Sequence, residues 1–191
     1  MRKVIAAEFL TLDGVMEAPG SADTTLPERR GWSEPYMNEE VGKMILDQMD
    51  ASDALLLGRK TYQDFAAFWP SVPDEDPFGK RMNSRAKYVV SRTLKQADWN
   101  NSRLIDGNVA EQVSRLKGQP GKNITIVGSG ELVRTLMQND LIDEYQLMVC
   151  PVVLGVGKHL FNGGSDKKGL RLVDAKTFSS GMLLLTYQAE K

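Results

Sequence analysis

Apolar and polar positions follow one another along the chain in a repeating strand-then-helix order. Lys3 to Leu10 (KVIAAEFL) is a short apolar run followed by the Asp13-Gly14 turn, which is the pattern of a buried strand. Residues 14 to 35 are rich in Gly, Pro, Ser, Asp and Thr and read as a long loop, either functional or a disordered insertion. Tyr36, Met37, Val41, Met44, Ile45 and Met49 recur at helical spacing, so a helix is predicted over Glu34 to Met49. Asp53 to Leu57 predicts a second buried strand ending at Gly58. Lys60 to Phe68 predicts a helix stopped by Pro70. Three prolines make residues 70 to 80 a loop.

The alternation continues beyond that loop. Strands are predicted at Lys87 to Ser91, Ser102 to Ile105 and Asn123 to Val127, with helices at Asn108 to Leu116 and Gly130 to Gln138. Ile142 to Val153 reads as one long strand, too apolar for an exposed edge. Leu170 to Phe178 and Met182 to Gln188 are two strands joined by Ser179-Ser180-Gly181, a hairpin. The order predicts a single α/β domain over residues 1–191. Its architecture is three-layer α/β/α: a mostly parallel mixed sheet closed by a C-terminal antiparallel hairpin.

Composition narrows the chemistry. The 191 residues carry 24 Lys plus Arg against 25 Asp plus Glu, a net charge of −1, without the basic excess of a nucleic-acid binder. A single cysteine, Cys150, and a single histidine, His159, exclude an internal disulfide and a zinc site built from several His and Cys ligands. No metal is expected. The longest apolar stretch, Leu147 to Val156, is interrupted by Pro151 and Gly155 and is too short to span a bilayer. The N-terminus carries no cleavage pattern, so a reducing cytoplasm is the expected home.

Ligands of such sheets sit at the carboxyl ends of the strands. Three of those ends suit phosphate. Gly58-Arg59-Lys60-Thr61 offers a close backbone approach, a helix N-terminus, two cations and a hydroxyl. Val90-Ser91-Arg92-Thr93 adds a hydroxyl and a guanidinium that can grip phosphate oxygens bidentately. Val127-Gly128-Ser129-Gly130-Glu131-Leu132 has the strand, G-x-G, helix layout of a pyrophosphate turn. It lacks the third glycine, Val133 standing there, and so departs from a Rossmann fingerprint. Lys158 stands where it could meet an anionic substrate group. Trp32, Tyr36 and Trp69 are aromatic enough to roof the cleft.

These segments together resemble the dihydrofolate reductase fold, and most closely the reductase domain of bacterial riboflavin biosynthesis, the C-terminal half of the deaminase-reductase. The likeness rests on Ile5-Ala6-Ala7, Leu12-Asp13-Gly14, Gly58-Arg59-Lys60-Thr61-Tyr62, Val90-Ser91-Arg92, Gly128 to Leu132, and Asp143-Glu144-Tyr145 leading into Pro151 to Gly155. It implies NADPH as hydride donor and a substrate like 5-amino-6-(5-phosphoribosylamino)uracil. It also implies Arg59, Thr61, Ser91 and Arg92 at the 2′-phosphate and pyrophosphate, with Gly58 and Lys60 beside them. Gly128, Ser129, Gly130, Glu131 and Leu132 would lie at the nicotinamide side, and Ala7 beside the carboxamide. Asp13 would be the catalytic group that orients the acceptor or relays a proton. A homodimer is implied as well.

The zinc-dependent deaminase half needs a His and two Cys, so only the reductase half is expected here. Glu39 and Glu40 lie near the carboxylate that a dihydrofolate reductase carries on its first helix, without singling out one residue. Rival readings are a nucleotide-binding module without turnover, reduction of a pterin, and a cofactor-free interaction domain.

Overall fold

The first strand sets the architecture, because its apolar side chains leave no solvent face. β1 (Val4–Thr11) is buried along almost its whole length, the signature of a parallel strand covered on both sides. It lies between β5 (Asn123–Val127) and β6 (Glu144–Cys150), parallel to both. β2 (Ser52–Gly58), β3 (Ala86–Val90) and β4 (Ser102–Ile105) extend the parallel sheet beyond β5. β8 (Leu183–Ala189) pairs antiparallel with β6, and β7 (Leu170–Thr177) pairs antiparallel with β8 at the edge. The sheet order is β4-β3-β2-β5-β1-β6-β8-β7. This computed structural model describes residues 1–20, 25–161 and 167–190.

Right-handed crossovers divide the helices between the two faces. The chain steps from β1 to β2 to β3 in one direction, so α1 (Glu39–Asp50), α2 (Arg59–Phe68) and α3 (Pro77–Ser84) share a face. It returns from β4 through β5 to β6, which puts α4 (Val109–Gly118) and α5 (Gly130–Gln138) on the other. The cores agree with this. Val4, Ala6 and Leu10 pack with Val113 of α4 and Leu132, Val133 and Leu136 of α5. Ala7 packs with Val41 and Met44 of α1, and Leu55 and Leu57 pack with Tyr62 of α2 and Met82 of α3. Each fully buried branched side chain contributes ~1.5–3 kcal/mol. The three-layer α/β/α architecture with its antiparallel C-terminal strands is thus observed. Among the described residues no helix is long and apolar enough to cross a membrane.

Three expectations change. The helix over Glu34 to Met49 is two elements, a 3-10 turn at Glu34–Tyr36 and then α1. The Asn38 side chain accepts the Val41 N–H and restarts the helix. The loop over residues 70 to 80 contains the start of α3. Asp76 Oδ1 caps it by accepting from Phe78 and Gly79 N–H, both at 2.8 Å, and Pro77 stands at the first turn, where no N–H is needed. The long strand Ile142 to Val153 is shorter, ending at Cys150 before Pro151. It is interior rather than an edge, so its apolarity needs no partner chain; the edge strands are β4 and β7.

Candidate functional site

The neighbouring parallel strands β2 and β5 send their following helices to opposite faces, which opens a crevice at their carboxyl ends. Leu56 pairs with Ile126 and Ala7 with Val127, so β2 and β5 end level with Ala7, while β1 runs on to Thr11 beside β6. The Gly58 N–H donates to Ser129 Oγ at 2.9 Å, tying the two turns together. Gly128 has φ +63°, and a Cβ there would lie 3.0 Å from Thr61 Cγ2, so both the turn and the close approach require glycine. Ser129 follows in the same left-handed region, at φ 62°, and α5 begins. The opening N–H groups of α2 and α5, which helix geometry leaves without intrahelical partners, therefore emerge at one crevice.

Ser91 and Arg92 follow β3, the next strand over, whose Val90 pairs with Gly58. The Ser91 Oγ accepts from Thr93 and Leu94 N–H at 3.2 and 3.0 Å, folding a turn that leaves Arg92 exposed. Arg59 and Lys60 are exposed as well, and Arg59 donates to Gln63 at 3.0 Å. The structure thus brings residues 58–61, 91–92 and 128–132 to one end of the sheet on three adjacent strands. Within the last group Glu131 is exposed, whereas Leu132 is buried in the core beneath α5.

Ala7 lies across the crevice, packed with Trp32, Val41, Met44, Met148 and Cys150. The Trp32 indole N–H donates to the Glu17 carbonyl at 2.8 Å. Tyr36 packs against the same cluster and its hydroxyl donates to the Pro151 carbonyl at 3.3 Å. Trp69 is elsewhere. α2 runs back against the strands, so Trp69 reaches the amino end of the sheet, where its carbonyl accepts from Asn83. Asn83 is in turn held by Lys87 at the start of β3. Trp69 therefore cannot roof the crevice with Trp32 and Tyr36.

Asp13 is a fastener. It accepts from Thr11 Oγ1 at 2.6 Å, Gly155 N–H at 2.8 Å and Leu154 N–H at 3.2 Å. These donors, Thr11 first, hold its carboxyl at about 2, well into the ionised range. Lys158 is exposed and pairs with Glu17 at 3.5 Å. Glu40 accepts from Ser179 at 3.3 and 3.4 Å, so it is committed to the C-terminal hairpin. Burial pushes the Cys150 thiol up to about 12, which leaves it inert.

Sequence reading missed Glu8. It is 3% exposed. One oxygen accepts the Gly128 N–H at 2.8 Å, and the other is buried with no partner. Burial raises its carboxyl well above the ordinary range, against the smaller opposing effect of the Gly128 N–H. The available signal was a lone acid inside the apolar run KVIAAEFL.

The family model described as the RibD C-terminal domain matches residues 2–184. The chain belongs to the RibD C-terminal domain family. It is 34% identical to the Bacillus subtilis protein YyaP over 190 residues, 97% of this chain and 94% of that one. A riboflavin-biosynthesis-type protein from Shewanella sp. PV-4 superimposes with a TM-score of 0.76 at 20% identity, over all of both chains. The Thermotoga maritima diaminohydroxyphosphoribosylaminopyrimidine deaminase/5-amino-6-(5-phosphoribosylamino)uracil reductase gives 0.69 at 13% identity, covering 99% of this chain and 57% of its own. At these identities the solved structures establish the shared reductase-type fold.

Proposed function

We propose that this RibD C-terminal domain protein is an NADPH-dependent reductase of a small polar heterocycle, resembling the phosphoribosylaminouracil reductases. The observation that carries the reading is the convergence of two helix N-termini, with Arg59, Lys60 and Arg92 around them, at the β2/β5 switch point. Backbone N–H groups and exposed cations at one crevice fit a phosphorylated dinucleotide. The Gly128 cradle, which a side chain would fill, fits its close approach. When bound, NADPH supplies a hydride.

This chain's residues would do the rest. Arg59, Thr61 and Arg92 would bind the 2′-phosphate end, and the opening N–H groups of α5 the diphosphate. Ala7 would offer its backbone to the carboxamide. Trp32 and Tyr36, packed beside Ala7, would exclude water and stack the substrate. Asp13 would act as a positioning residue, because it is ionised and spends its oxygens on Leu154 and Gly155, holding the segment after β6 against the crevice. Lys158 lies on that segment, with Glu17 as its partner.

One observation favours a second reading, a nucleotide-binding module without turnover. Asp13 and Glu40 are both engaged in loop contacts rather than presented to a substrate. Steady-state oxidation of NADPH, followed across aminopyrimidines, pterins and quinones, separates the two. Turnover with an aminopyrimidine is the expected result. Cofactor binding with no oxidation by any acceptor would favour the silent module.

A further inference from the structure

The Gly128–Gly130 turn is built over a buried acid. Glu8 lies on the α4/α5 face of β1, the face of Ala6 and Leu10, and spends one oxygen on the Gly128 N–H. The next N–H groups along the chain, Ser129 to Glu131, open α5, so an anion held there shares the turn with this carboxyl. An anion and an ionised carboxylate on one turn repel. A carboxylic acid in the same position does not, and it still accepts the Gly128 N–H.

Among the described residues no cation pairs with Glu8. The charged and titratable groups on the elements around it are Glu111, Arg115 and Lys117 on α4, Glu131 and Arg134 on α5, Glu144, Tyr145 and Cys150 on β6, Asp13 and Glu17 on the segment after β1, and Lys158 and His159 on the segment after β6. Arg134 donates to the carbonyls of His159 and Leu160 at 3.3 Å. Glu17 faces Lys158, and Asp13 faces Leu154 and Gly155. Glu131 is exposed, and His159 bridges Val15 through its backbone. None of these is a hydrogen-bond partner of Glu8. A buried carboxyl with a single N–H donor and no cation takes a proton rather than stay charged.

We infer that Glu8 is a positioning residue of the phosphate turn that works as a neutral acid: it holds Gly128 in place and must carry its proton when a dinucleotide diphosphate binds. This rests on the dinucleotide reading above. Above the pH at which Glu8 titrates, each binding event takes up one proton from solvent. Affinity then falls by about tenfold for each further pH unit.

The test is calorimetric titration of the full chain with NADPH across about pH 6 to pH 9, in two buffers of different ionisation enthalpy. It uses the parent, Glu8→Gln and Glu8→Leu. The parent is expected to lose affinity with rising pH and to take up protons. Glu8→Gln keeps an acceptor for Gly128 and is expected to bind like the parent at low pH, with a flat profile. Glu8→Leu is expected to be flat but weaker throughout. Infrared spectra of unliganded protein at neutral pH are expected to show a protonated-carboxyl band that Glu8→Gln loses. Matching pH profiles in the parent and Glu8→Gln would overturn this inference alone, as would a missing band. No NADPH binding by any of the three at any pH would overturn the dinucleotide reading, and this inference with it.

Discussion

Glu8 and Asp13, on one strand and the turn that follows it, are pushed in opposite directions by their surroundings. Asp13 collects three donors and stays ionised; Glu8 has one donor and is buried. The sign of each pH effect follows. The Asp13 value is depressed from 3.8 to about 2, so the unfolded chain binds more protons in that window. Its stabilisation is present above the ordinary carboxyl range and is lost as pH falls through about 2. Acid unfolding of Asp13→Asn is expected to lose that part of the slope. An unchanged acid limb would refute the fastener role. At the other end of the sheet Lys87 is fully buried. Its ammonium donates to the carbonyls of Asn83, Arg85 and Asn100 at 2.8, 3.0 and 2.9 Å and lies 4.1 Å from the Trp99 ring centroid. Lys87→Met leaves those carbonyls without their donor, so urea unfolding is expected to show a loss of about 2–4 kcal/mol. NADPH binding, at the far end, should be unaffected.

Elements with a single strong local signal were legible. β5 and α5 match their sequence ranges because Asn123 to Val127 alternates cleanly and Gly130 opens an amphipathic run. α3 was hidden by its own start signal. Proline breaks a helix interior but suits the first turn, and Asp76-Pro77 is a cap followed by that turn. Asp76→Ala is expected to cost about 1 kcal/mol, read as a lower urea midpoint with unchanged slope. The position of the Gly58, Ser91 and Gly128 turns at strand ends was also legible, since each follows a short buried strand directly. Glu8 was not, because its meaning depends on the Gly128 turn, which is distant in sequence. Trp69 was misassigned to the crevice because composition marks an aromatic residue but not the direction in which its helix carries it.

At the scale of the molecule, alternation of strands and helices announced a parallel sheet, but not that β5 inserts between β2 and β1. That insertion creates the switch point, and it depends on where the crossovers turn back. The order also puts β4 at one edge and β7 at the other, and on β7 Leu172 is 48% and Val173 37% exposed. An open strand edge with apolar side chains is a pairing surface. A homodimer through β7 is therefore expected in sedimentation, with Leu172→Lys/Val173→Lys giving monomers. A monomeric parent would remove that expectation.

The most direct test of the central claim is a calorimetric titration of the parent chain and of Arg59→Ala/Arg92→Ala with NADPH and NADH. The account predicts saturable NADPH binding by the parent, preferred over NADH. It predicts a loss of at least about tenfold in NADPH affinity in the double variant, with little change for NADH. Equal NADPH affinity in the two proteins, or no heat with either nucleotide, would contradict it.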